Sequence, residues 1–83
     1  MRINLTKTEK IMAILNQYDP MGEYARSNDY CCYCYEADSI AHNLRKNSRL
    51  ETVFKAIVKV FPGIDTDSDG VQQMAVCILI AVK

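Results

Sequence analysis

Three of the four cysteines of this 83-residue chain, Cys31, Cys32 and Cys34, stand almost side by side, and the fourth is Cys77. Cys31 and Cys34 have the C-x-x-C spacing near an expected helix start, where a thiolate is favoured. A redox pair of this type normally sits in a βαβ context, and the chain shows no such alternation. The spacing therefore predicts reduced, inert thiols that pack as small apolar side chains. Such clustering is also unlike the spread of a secreted disulfide framework. Cys31, Cys34, Asp38 and His42 would share one helical stripe and invite a zinc reading. At a rise of about 1.5 Å per residue the first and last are about 16 Å apart, too far for one ion to reach all four. The stripe is expected to face solvent, with no metal bound.

Asp65-Thr66-Asp67-Ser68-Asp69-Gly70 matches the opening of a calcium loop. Its alternating carboxylates and its glycine are what such a loop needs. The closing position, normally a bidentate Glu, is Val76, and the chain has no acidic residue after Asp69. The expectation is a solvated turn leading into a helix, with weak divalent-ion binding through Asp65, Asp67 and Asp69 as the alternative.

No nucleophile–base pair is visible. His42 is the single histidine, and there is neither a G-x-S-x-G nor a Gly-rich phosphate loop. The chain is read as a non-enzyme without cofactors. Ten Lys and Arg offset ten Asp and Glu, giving a formal net charge of zero. That speaks against a nucleic-acid partner, whose phosphates demand an excess of positive charge. The basic residues Arg45, Lys46 and Arg49 would lie at one turn, followed by only Lys55 and Lys59, which is thin for a DNA-reading helix.

The five tyrosines, Tyr18, Tyr24, Tyr30, Tyr33 and Tyr35, are gathered into one segment with Asp19, Glu23, Asp29 and Glu36 among them. Tyr18, Tyr30 and Tyr33 are assigned to core stripes. Tyr24 lies in a loop and Tyr35 on the polar side of a helix. Exposed tyrosines beside carboxylates suit a protein-binding surface. Alternatively, Tyr24 folds back over the helix ends while Asp19 caps the loop.

The elements that would position these groups are helical. The chain is 49% apolar and 24% charged, the balance of a folded domain and too apolar for a disordered tail. No apolar run reaches the roughly 18 residues of a membrane span, and the segment Met1 to Lys7 has no leader-like apolar stretch. A single cytoplasmic domain over residues 1–83, with no membrane partner, is expected. Ile11, Ile14, Leu15 and Tyr18 mark a first helix over about residues 7–17. Thr6-Lys7-Thr8-Glu9 reads as its capping box, and Asp19-Pro20 ends it. After a loop, a second helix is expected over about residues 29–46, with Tyr30, Tyr33, Ala37, Ile40, Ala41 and Leu44 inward and Asn47 as a left-handed cap. Ser48-Arg49-Leu50-Glu51 reads as another capping box for a third helix over 49–61. Leu50, Val53, Phe54, Ile57, Val58 and Phe61 form its stripe, and Pro62-Gly63 stops it. The apolar run from Met74 to Val82 is ambiguous between strand and helix. With no second strand to pair, a helix over about 70–82 with Asp69 as N-cap is the reading. Its inner face is Val71, Met74, Ala75, Ile78 and Val82, which leaves Val76 and Ile80 on the back. Either this helix sits between the others, or its back meets another subunit.

Asp19-Pro20-Met21-Gly22, Asn28-Asp29-Tyr30, Tyr33, Glu36-Ala37, Ile40-Ala41 and Leu44 resemble the YugE-like small helical bacterial domains. The likeness covers about residues 10–61, and the apolar tail from Pro62 departs from it. The resemblance implies a compact all-helical domain and carries over no catalytic residue. Similar sequences occur among small immunity-type proteins that plug a partner.

Together these readings predict an all-α, four-helix bundle acting as a non-enzymatic interaction module, bound to another protein or to itself as a homodimer. Its binding residues are Asp19, Met21, Glu23, Tyr24, Tyr35, Val76 and Ile80. The alternatives are a small inhibitor that occludes a toxin or defence component, the divalent-ion binder, and a small-ligand pocket lined by tyrosines.

Overall fold

Thr6 and Glu9 start the first helix as their spacing requires. The Glu9 N–H donates to Thr6 Oγ1 at 3.1 Å and the Thr6 N–H donates to Glu9 Oε1 at 3.2 Å, so two otherwise orphaned donors are satisfied reciprocally. The computed structural model describes residues 6–83, so most of the segment read for a leader lies outside the described residues. The helices are α1 (Lys7–Tyr18), α2 (Glu23–Ser27), α3 (Cys34–Asn43), α4 (Leu50–Val60) and α5 (Asp69–Val82). The described residues contain no strand, and the all-α bundle stands. The apolar run from Met74 to Val82 is helical, as the lack of a pairing strand implied.

α1 packs on α3 and α5, and α4 packs on the same two, so the four long helices close a ring around one core. Ile11, Leu15, Tyr33, Ile40, Leu44, Val53, Ile57, Met74 and Ile78 are its largest fully buried side chains. Ala37, Ala41, Ala56 and Ala75 are buried among them, where a larger side chain would hold neighbouring helices apart. α5 buries the face expected of it and does not sit between the others. Its back is open, with Val76 42% and Ile80 64% exposed.

Several local expectations need correction. The second long helix does not span 29–46. Asp29 intercepts its start: its Oδ1 accepts from the Cys31 N–H at 3.0 Å and its carbonyl accepts from the Cys32 N–H at 3.1 Å. Such local bonding competes with the helical ladder, and residues 30–33 become turns that leave Tyr30 52% exposed. At the other end Leu44 turns extended (φ −118°, ψ 145°) and buries its side chain, while its carbonyl accepts from Lys7 Nζ at 2.9 Å. Asn47 therefore caps nothing, and among the described residues the positive-φ residues other than glycine are Asp19 and Asn28.

The second capping box is also absent. Ser48 Oγ is taken by the Arg45 N–H at 2.8 Å, and α4 begins after Arg49 with no side-chain cap. Likewise Asp69 is the first residue of α5 and its N-cap is Ser68. Finally, the α4 stripe is rotated: Ala56 is buried, while Leu50 and Val58 are 36% and 42% exposed.

Ile57→Ala should therefore cost about 2–5 kcal/mol, a large part of the roughly 5–15 kcal/mol that holds a small domain together. Val58→Ala, one position away, should cost roughly 0.5 kcal/mol or less. Urea denaturation of the two variants measures the difference.

Candidate functional site

Between α1 and α3 the tyrosine-rich segment folds around one buried hydroxyl. α1 ends at Asp19, whose N–H donates to the Leu15 carbonyl at 2.7 Å while its backbone adopts the left-handed conformation (φ 47°). That turn aims the Asp19 carboxylate at α2. Its Oδ1 accepts from the Tyr24 N–H and its Oδ2 from the Ala25 N–H, each at 3.0 Å. These are orphan donors of the first turn of α2, which has Gly22 at its N-cap and hence no side chain there to satisfy them. Gly22 itself has φ +68°, the region where a side chain is strained.

The third partner of Asp19 is the Tyr33 hydroxyl, which donates to Oδ1 at 2.6 Å. The same hydroxyl accepts from the N–H groups of Met21 at 3.1 Å and Glu23 at 3.3 Å, so its one donor and two acceptor sites are all in use. Tyr33 has no exposed surface, and its ring meets Phe61 edge-on at 5.8 Å. The Tyr33 hydroxyl bond, followed by those from Tyr24 and Ala25, holds the Asp19 carboxyl below its ordinary value of 3.8. Burial, with the adjacent Asp19 carboxylate, pushes the Tyr33 phenol up to about 12.

The residues singled out from sequence are thus divided. Asp19 is committed to holding the fold, and Tyr24 is half-buried against the core. Glu23 is half-buried in the first turn of α2. Met21 is 37% and Tyr35 89% exposed. Tyr35 projects from α3, whereas Val76 and Ile80 project from α5. α3 and α5 face each other across the ring, so the aromatic and aliphatic parts of the expected surface lie on opposite flanks.

The cysteines also divide. Cys32 is half-buried with its thiol 3.7 Å from Asn16 Oδ1; burial, with Glu23, Asp19 and Asp29 nearby, pushes its pKa up. Cys77 is half-buried with its sulfur 3.5 Å from the Tyr18 hydroxyl. Cys31 and Cys34 are exposed, against the reading of packed thiols and in line with the solvent-facing stripe expected of them.

In the acidic segment the Asp67 N–H donates to Asp65 Oδ1 at 3.0 Å and the Ser68 N–H to the Asp65 carbonyl at 3.2 Å, a self-contained turn into α5. Among the described residues no group of three or more His, Cys, Asp or Glu is placed to hold a metal ion. His42 pairs with Asp38 on the exposed side of α3, its Nδ1 2.8 Å from the Asp38 carbonyl oxygen. A groove of about 520 Å³ runs beside Val76, lined by Tyr18, Asp69, Gln72, Gln73 and Cys77. A second, of about 530 Å³, lies between α4 and α5 and is lined by Phe54, Lys55, Val58, Thr66, Asp67 and Gln72. Tyr18 is the one tyrosine lining either. No helix of the described residues is long and apolar enough to cross a membrane.

Protein-family models, curated proteins and solved structures were compared with the chain, and none matched.

Sequence reasoning missed the joint role of Asp19 and Tyr33. The available signal was Asp19 before Pro20 and three residues ahead of another turn-former, Gly22.

Tyr33→Phe should cost about 1–3 kcal/mol, because it strands two half-buried N–H groups and removes a donor from Asp19. The wild-type fold should also respond to pH at both ends. The contribution of Asp19 is complete above its ordinary value of 3.8 and is lost as pH falls through its lower folded value. That of Tyr33 is complete below 10.0 and is lost as pH rises towards about 12. Urea midpoints measured against pH should lose the alkaline decline in Tyr33→Phe and the acid decline in Asp19→Asn.

Proposed function

We propose that the chain is a cytoplasmic, YugE-like helical domain that works as a non-enzymatic interaction module by pairing with a second copy of itself through the back of α5. The observation that carries this reading is a stripe. Asp69, Gln73, Val76, Ile80 and Lys83 follow one another at alternating four- and three-residue steps, and all five are exposed. That spacing places them on one face of a helix. Apolar side chains occupy the middle of the stripe, an acid its start and a base its end. Asp69 and Lys83 are equidistant in sequence from Val76. A two-fold, antiparallel pairing centred on Val76 therefore sets each Asp69 against the partner's Lys83, while Ile80 is covered beside the groove lined by Tyr18 and Cys77.

The 14 residues of α5 make a contact about 21 Å long. This is short beside the roughly 800 Å² per partner of a standard interface, which fits a dissociation constant of roughly micromolar order. Exposed Val76 and Ile80 also give a reason for the pairing: an uncovered apolar strip invites unspecific association. Two-fold closure satisfies it once and stops there.

Light scattering at protein concentrations from roughly 10 μM to 1 mM should show the mass rise from one chain towards two. Ile80→Asp should keep the protein monomeric throughout. Asp69→Lys and Lys83→Asp should each weaken pairing, and the two together should restore it. A wild-type chain that stays monomeric at millimolar concentration rules out self-pairing.

A further inference from the structure

We infer that Cys31 and Cys34 form a surface dithiol site that closes to a reversible intramolecular disulfide by exchange with a low-molecular-weight disulfide such as oxidised glutathione. The Cys34 N–H donates to the Cys31 carbonyl at 3.0 Å, closing a four-residue turn whose first and fourth residues are the two cysteines. Tyr33, the third residue, has φ −106° and ψ 24°, close to the corresponding position of a type I turn. Such a turn holds the Cα atoms of its end residues within about 7 Å, and a disulfide needs roughly 4.4–6.8 Å.

The same turn sorts the thiols. Tyr33 must point inward to reach Asp19, and Cys32 lies half-buried against Asn16. Cys31 and Cys34 are left in solvent. Attack is thus open to the pair at the ends of the turn, while the remaining two thiols are engaged with Asn16 and Tyr18.

In the exchange, the thiolate of one exposed cysteine attacks a sulfur of the small disulfide. A mixed disulfide forms and one small thiol leaves. The second cysteine's thiolate then attacks the protein-side sulfur and expels the other small thiol. The protein dithiol gives up two electrons and two protons, and the small disulfide becomes two thiols. The second step is intramolecular, with an effective concentration of about millimolar or more.

Mass spectrometry of the full chain equilibrated with oxidised and reduced glutathione tests the site. The wild type and the Cys32→Ser, Cys77→Ser double variant should both lose the mass of two hydrogens and regain it with excess reduced glutathione. Cys31→Ser and Cys34→Ser should stop at the mixed disulfide, with roughly tenfold more bound glutathione than the wild type. The inference is overturned if the double variant retains glutathione without closing, if it fails to react, or if Cys31→Ser, Cys34→Ser double substitution leaves the two-hydrogen loss intact.

Discussion

The bond between the Tyr33 hydroxyl and the Asp19 carboxylate sets the geometry of the first half of the molecule. Asp19 ends α1, caps α2 and anchors α3 through Tyr33. A short acceptor–donor pair in which the acceptor is charged is among the stronger hydrogen bonds available to a protein. Its strength is available only because every other polar site of the hydroxyl is filled, by the N–H groups of Met21 and Glu23. A buried tyrosine with an idle hydroxyl would instead cost stability. The bridging turn is held by two left-handed residues, Asp19 and Gly22. Tyr33 then carries the constraint into the core, where its ring meets Phe61 at the end of α4.

From that corner outward, the rest of the bundle follows from apolar spacing. α4 and α5 enter without side-chain caps, so their ends rely on packing more than on local hydrogen bonds. That is the usual source of helix stability in proteins. The exposed stripe of α5 and the cysteine turn are both by-products of this packing. Burying Met74, Ala75, Ile78 and Val82 turns Val76 and Ile80 outward, and burying Tyr33 turns Cys31 and Cys34 outward.

Helix type and the identity of most core residues were legible from spacing alone, because 3.6-residue periodicity is a property of neighbours along the chain. The capping box at Thr6 was legible for the same reason. What failed were the places where a polar side chain had two local options. Asp29 bonds to the next turn instead of opening a helix, and Ser48 closes the Arg45 turn instead of capping α4. Each choice lies within four residues of a side chain that enters the core, Tyr33 or Leu44, and a short window does not reveal such tertiary packing. The candidate surface was legible on α5, where exposure follows from the helix wheel. It was misleading at Asp19, whose carboxylate is spent internally, as the alternative reading of a capping Asp19 beneath a folded-back Tyr24 had it.

The ring order has a bearing on how the chain acquires its shape as it is made. Two long helices pack closely on α1, and one of them is α5. While the ribosome is still extruding the segment after Pro62, Ile11 and Leu15 lack the α5 side of their packing. Domains tend to fold as units once their last contributing element has emerged. A nascent chain halted before α5 would thus display a greasy flank on α1 to chaperones and proteases, and translation pauses in that stretch would lengthen the exposure.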